Sequence, residues 1–261
     1  MGYHLVISQA SRKAEEIIAV SNHTKGDIKK HLSINEEKIH TIYNGIDSSF
    51  VSLAEKENQK KINLPALWDN KDRKYEGKIG DFMIYTGVHR EHKNLSKLFD
   101  ALKILKEKYR SDMPLVITGK KEDKYHSLYD KIEKLNIEDR VFFAKFLPED
   151  IMKNVLQKAR LFVFPSLYEG FGFPPLEAMA CKVPVCASNR TSIPEVCGDA
   201  ASYFDPENEG EMAQKIHELL SQEKLRQKLV EKGLKRVKIF SWQECAEKTL
   251  GIYEKAAMRN F

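Results

Sequence analysis

Glu169 and Glu177 stand eight positions apart in the segment Phe164-Pro165-Ser166-Leu167-Tyr168-Glu169-Gly170-Phe171-Gly172-Phe173-Pro174-Pro175-Leu176-Glu177-Ala178-Met179-Ala180-Cys181. The apolar run ending at Phe164 predicts a strand. A loop carrying Gly170 and Gly172 follows, and a helix is expected to open near Pro174, because the first helical turn lacks carbonyl partners for its N–H groups and tolerates proline. The two glycines let the backbone approach a ligand closely. Exposed N–H groups at the helix start, with the positive dipole end, form an anion site whose natural guest is phosphate. A carboxylate repels phosphate, so Glu169 and Glu177 are expected on either side of the cradle, accepting hydrogen bonds from hydroxyls. A ligand with hydroxyls at both ends of a diphosphate fits. A glycine turn for packing, with Glu177 complementing the helix dipole, also fits, and the segment alone leaves both open.

The run Tyr85-Thr86-Gly87-Val88-His89-Arg90-Glu91-His92-Lys93-Asn94-Leu95 likewise follows an expected strand and opens a helix. Arg90 and Lys93 can neutralise a departing diphosphate without a metal ion. A solvated basic loop is the plain alternative. For His89 and His92 we expect donor-side binding or packing rather than catalysis. His4, His23, His31 and His40 are expected at the surface.

These loops need a scaffold that brings them together. Short apolar runs at Phe82–Thr86, Leu115–Thr118, Val141–Phe146, Leu161–Phe164, Val183–Ala187 and Ser202–Phe204 alternate with amphipathic stretches such as Asn94–Tyr109 and Lys124–Leu135. Leu95, Leu98, Leu102 and Leu105 recur at helical spacing in the first of these. Continuous apolar strands alternating with helices predict an α/β, Rossmann-like, doubly wound parallel sheet. Ligands bind such sheets beyond the carboxyl ends of the strands. Residues 1–47 read as a separate piece, with a helical run around Ser11–Glu16, strands Ile17–Ser21 and Ile39–Tyr43, and a helix around Thr24–Leu32. Residues 48–80 are polar and contain Pro65 and Trp68, and are expected to be a linker or insertion. Residues 81–240 form the main domain, and 241–261 a last helix with Ser241 as N-cap.

The 261 residues, 42% hydrophobic and 31% charged, describe a globular chain able to bury a core unaided. No apolar run approaches the ~20 residues that span a bilayer. A net charge of +5 fits an anionic ligand or peripheral contact with an anionic membrane. No basic stripe with interleaved aromatics points to nucleic acid. Cys181, Cys186, Cys197 and Cys245 form no C-x-x-C pair and are expected as free thiols. With no secretory leader evident, a cytoplasmic chain is expected.

The run from Glu169 to Cys181 resembles the E-x7-E signature of family 4 retaining glycosyltransferases, which have the GT-B fold. Ile18–Ser21, Ile42-Tyr43-Asn44-Gly45-Ile46-Asp47, Gly87–Leu95, Val183–Glu195 and Gly198–Pro206 resemble further family segments in the same order. The resemblance implies that Glu169 contacts the donor hexose near the reacting centre. It implies that amides of the Gly170, Phe171, Gly172 loop, and Leu176 in the helix beyond, help hold sugar and diphosphate. Glu177 resembles the ribose-binding carboxylate, Lys93 the lysine on the diphosphate, with Gly87 and Arg90 beside it, and Phe146 and Leu147 the base-binding loop. Many members carry Arg directly after the glycine corresponding to Gly87, where this chain has Val88.

The implied reaction is transfer of a hexose from a nucleoside diphosphate sugar, GDP-mannose before a UDP-sugar, to a glycan or lipid-linked acceptor with retention. No metal and no cofactor are expected. The resemblance further implies the donor half of a two-domain enzyme with a largely missing acceptor domain, which a separate N-terminal polypeptide could supply. A non-catalytic nucleotide-sugar binding module and a GT-B sugar epimerase are the alternatives.

Overall fold

The computed structural model describes residues 2–47, 49–50, 81–119, 126–144 and 147–258. The expectations for Phe146, for Trp68 and for most of the 48–80 segment lie outside the described residues.

Six strands, β3 (Met83–Thr86), β4 (Leu115–Thr118), β5 (Val141–Phe143), β6 (Leu161–Phe164), β7 (Val185–Ser188) and β8 (Ala201–Phe204), form one sheet in the order β5-β4-β3-β6-β7-β8. Every pairing is parallel, for example Met83 with Leu115 on one side and with Leu161 on the other. All residues of β3, β4, β6 and β7 are buried, which is why these strands read as unbroken apolar runs. Two helices cover one part of the sheet. Helix α3 (Leu95–Glu107) buries Leu95, Leu98, Phe99, Leu102 and Leu105, and α8 (Glu209–Ser221) buries Met212, Ala213, Ile216 and Leu219. Helix α9 (Glu223–Val237) packs on α6 (Phe173–Ala180). The seventh strand starts at Val185, two residues later than expected, beyond Pro184, which has no N–H to give a ladder.

The strand order reverses between β3 and β6. Chain leaves β3 toward β4 on one side and leaves β6 toward β7 on the other. The carboxyl ends of these two neighbours therefore bound an open crevice, the ligand position in doubly wound sheets. The two loops singled out from the sequence leave these two strands.

The first piece is small. Helix α1 (Gly2–Lys13) precedes β1 (Ile17–Ala19), which pairs in parallel with β2 (Ile39–Thr41), with α2 (Asn22–Leu32) between them in sequence. Ala19, Ile34 and Ile39 form its own core. The first helix stops at Lys13 rather than Glu16. Glu16 turns inward, its side chain 2% exposed, and bonds His40 Nε2 at 2.6 Å and Lys255 Nζ at 3.1 Å. His40 is therefore partly buried, and His23 is partly buried as well, rather than fully exposed. Ser21 is not a strand residue. It caps α2, its hydroxyl accepting from the Thr24 N–H.

This piece is fastened to the sheet domain by Glu195, which precedes the end of α7 (Ile193–Cys197). Its carboxylate accepts from the N–H groups of Asn22 at 2.7 Å and His23 at 3.1 Å, the first two residues of α2, and from the Tyr43 hydroxyl at 2.9 Å. A carboxylate thus meets a positive helix end. Ile46 and Phe50 join the main core, so the stretch after residue 48 begins packed rather than as a free linker. Helix α10 (Trp242–Met258) returns to the first piece, where Gly45 sits so close that an added Cβ would lie 2.1 Å from the Trp242 nitrogen.

Candidate functional site at the strand-order switch

The loop after β3 ends in a short 3-10 turn, Glu91–Lys93, and Asn94 then adopts the left-handed conformation at φ 59°. Asparagine tolerates this region better than most residues. The buried Asn94 amide donates to the carbonyls of Pro165 at 3.1 Å and Pro206 at 2.8 Å, tying together the loops after β3, β6 and β8. The His92 carbonyl accepts from the Leu167 N–H at 2.8 Å and from the Ser166 hydroxyl at 3.2 Å. With the loops joined, Lys93 Nζ lies 2.6 Å from Glu169 Oε1, the two side chains 15% and 13% exposed. Lys93 also stands 5.9 Å from the Phe164 ring centroid. Burial, helped by the Glu169 charge, raises the Tyr85 phenol above its ordinary range. Burial, and then the Lys93 charge, lowers the His92 imidazole.

Gly172 precedes α6 with φ 103°, and an added Cβ would find nothing within 4 Å. Gly87 has φ 146°, and its carbonyl lies 2.0 Å from where a Cβ on Gly119 would stand, so the loops after β3 and β4 touch backbone to backbone. The Phe171 ring is 4% exposed and packs among Tyr43, Phe173 and Phe240, and Leu176 is fully buried. Both side chains are packed in the core, so any direct role of Phe171 belongs to its N–H group, while Leu176, whose N–H closes the first turn of α6, serves packing. Arg90 is exposed at the start of the turn. His89 is buried, bonds the Tyr129 hydroxyl at 2.9 Å and packs on Phe143, a packing role.

Glu177 lies within α6 and lines a cleft of about 550 Å³ with Gly45, Asp47, Leu147, Glu149, Phe173 and Trp242. The Trp242 and Phe173 rings stack at 26° and 6.3 Å. Burial raises the Glu177 carboxyl, opposed by the charge of Lys153 and reinforced by Glu149 and Asp47. Lys153, its side chain 6% exposed, bonds Glu149 and Ser49 and stands 4.5 Å from the Phe50 ring centroid. The structure thus places Gly87, Lys93, Glu169, Gly170, Phe171 and Gly172 at the crevice and Leu147 and Glu177 at the adjoining cleft. Asp47, Glu149, Lys153 and Asn94 were not foreseen, since nothing in their spacing separates them from surface charge and turn residues. Among the described residues, no group of three or more His, Cys, Asp or Glu could hold a metal ion.

Residues 68–236 match the family model described as glycosyl transferases group 1. The chain belongs to this family. Residues 3–50 match a second model, glycosyltransferase family 4. Over 241 residues the chain is 30% identical to O-antigen chain mannosyltransferase B of Escherichia coli, covering 92% of this chain and 61% of that protein. Over 263 residues it is 27% identical to an MMP alpha-(1->4)-mannosyltransferase of Mycolicibacterium hassiacum, covering 99% and 58%. The chain therefore spans about three-fifths of the length of these relatives. The crystal structure of Anabaena Alr3699/HepE in complex with UDP and glucose superposes with a TM-score of 0.76 at 19% identity, over 95% of this chain and 66% of that one. The fold is the GT-B type of α/β fold expected from the sequence, and no described helix of this glycosyltransferase family member is long and apolar enough to cross a membrane.

Proposed function

We propose that this chain binds a nucleoside diphosphate sugar at the β3/β6 crevice and supplies the donor site for transfer of a hexose with retention of configuration. The observation that carries the proposal is the Lys93–Glu169 pair at the strand-order switch, beside the Gly170–Gly172 loop and the start of α6. Lys93 is the counter-charge for a diphosphate, aided by Arg90, the loop amides and the helix dipole. Glu169 accepts from sugar hydroxyls, and Glu177, in the adjoining cleft, accepts from ribose hydroxyls with the base toward Leu147.

In the reaction the bond from the anomeric carbon to the diphosphate oxygen breaks. The acceptor oxygen bonds that carbon on the same face, and its proton passes to the leaving phosphate. The two relatives named as mannosyltransferases favour a mannose donor, and with it GDP-mannose; the neighbour holding UDP keeps UDP-sugars as the second choice. Counter-charge from Lys93 and Arg90 makes donor binding independent of divalent metal. The reading places the chain in the cytoplasm, with peripheral contact to an anionic membrane where the acceptor is lipid-linked.

Calorimetry with GDP-mannose, UDP-glucose and their nucleoside diphosphates, with and without EDTA, tests the proposal. Saturable binding that weakens in Lys93→Ala and Glu177→Ala supports it. No binding across the panel, or equal binding by both variants, overturns it. Binding without transfer even after a complementary N-terminal domain is added would assign a non-catalytic module instead.

A further inference from the structure

Three consecutive carbonyls of the glycine loop are held by side-chain hydroxyls. The Gly170 carbonyl accepts from Ser21 Oγ at 2.6 Å and Thr24 Oγ1 at 3.0 Å, both from the first piece of the chain. The Glu169 and Phe171 carbonyls, each at 2.9 Å, share the hydroxyl of Ser192. Thr191 Oγ1 accepts from the Glu169 N–H at 3.1 Å. Ser21 and Ser192 are fully buried. The chain has spent buried hydroxyls from two distant segments on the carbonyl side of one loop.

A carbonyl and the N–H that shares its peptide point in opposite directions when the peptide is trans, and no cis peptide occurs among the described residues. Holding the Gly170 carbonyl therefore sets the direction of the Phe171 N–H, away from α2. Holding the Phe171 carbonyl sets that of the Gly172 N–H, away from Ser192. No described residue accepts from either N–H. Without the hydroxyls a loop with glycine at both flanks has peptide planes free to rotate, and donors that must be reoriented on binding stabilise developing charge less than fixed ones.

We propose that Thr24, Ser21 and Ser192 are positioning residues that preset the Phe171 and Gly172 amides to receive the diphosphate of the donor. The inference rests on the donor-site reading above. It gives the first piece of the chain a task at the donor site, with Glu195 holding α2 in place so that Thr24 and Ser21 reach the loop.

The pair Thr24→Val and Thr24→Ser tests it, the first keeping the shape and losing the hydroxyl, the second keeping the hydroxyl. Ser192→Ala is the second arm. Each is titrated with GDP and UDP by calorimetry and with guanosine and uridine by NMR, with the thermal midpoint recorded. We expect Thr24→Val and Ser192→Ala each to lose about fivefold or more in nucleoside diphosphate affinity, with nucleoside affinity held within about twofold and Thr24→Ser matching the parent. Equal losses for diphosphate and nucleoside, or none, would overturn the inference while leaving the donor site intact. If the parent chain binds neither diphosphate, the donor-site reading itself fails and the inference with it. Should Ser192→Ala not fold, the Thr24 pair decides alone.

Discussion

Lys93 Nζ and Glu169 Oε1 are 2.6 Å apart although the residues are 76 positions apart in the chain. Both side chains are largely withdrawn from water, so each stabilises the charge of the other. A donor that places its diphosphate on Lys93 and its sugar hydroxyls on Glu169 replaces this contact with two. Removing either residue therefore affects binding and folding differently. Lys93→Ala removes the counter-charge proposed for the diphosphate and strands a carboxylate. We expect GDP and UDP affinity to fall about 10- to 100-fold and stability to fall by about 1–3 kcal/mol, measured by calorimetry and denaturant unfolding. Glu169→Gln frees Lys93. Nucleoside diphosphate affinity is expected to hold or rise while transfer falls at least about 100-fold, so the ratio of the two readouts separates their roles.

Glu177 gives a pH signature. Burial raises its carboxyl above the ordinary value of 4.5, so the folded chain holds a proton that the unfolded chain has already released. The contribution of Glu177 to stability therefore falls as pH rises from 4.5 through the raised value. Glu177→Gln is expected to melt higher than the parent near neutral pH, with the difference vanishing below the ordinary value. If Glu177 holds the ribose as proposed, the ribose hydroxyls favour its ionised carboxylate. Nucleotide affinity in the parent is expected to drop as pH is lowered through the raised value, and to stay flat in the variant.

Two glycines separate strain from contact. Gly172 has φ 103° and open space where a Cβ would stand. Gly172→Ala is expected to cost about 1–2 kcal/mol in backbone strain, with a loss of GDP and UDP affinity beyond about tenfold as the methyl crowds the amide. Gly119 has φ 116° and would push a Cβ to 2.0 Å from the Gly87 carbonyl. Gly119→Ala is expected to cost about 3 kcal/mol or more. Thermal unfolding ranks the two, and a milder effect at Gly119 would contradict the packing described.

Glu195 joins the first piece to the sheet domain. Glu195→Ala leaves the Asn22 and His23 amides and the Tyr43 hydroxyl without their shared acceptor. A loss of about 2–3 kcal/mol is expected, and about 1 kcal/mol for Tyr43→Phe. In a double-mutant cycle the two should be non-additive.

The doubly wound sheet and its loops could be recognised in the chain because β3, β4, β6 and β7 are buried throughout, which leaves short apolar runs whose length and β-branched or aromatic content mark them as strands. Glu169, Glu177 and Lys93 could be named for the same kind of local reason, since glycine, proline and charge at short spacing already state a strand-end turn and a helix start. The burial of Phe50 was not legible because one aromatic in a polar stretch carries no period, and His40 reads as surface until Glu16 is beside it.

What the linear chain carries is therefore periodic burial and local turn chemistry, enough for the fold class and the loops, while the family rests on the resemblance of whole motifs. Only the folded molecule sets Lys93 against Glu169, gathers Lys153 and Glu149 beside Glu177, and brings the hydroxyls of Ser21, Thr24 and Ser192 onto one loop. The physical reason is that a lone serine or threonine satisfies itself equally well at a cap, a turn or in water. Its partner, 149 residues away for Ser21, is chosen by packing of the whole and leaves no trace in spacing.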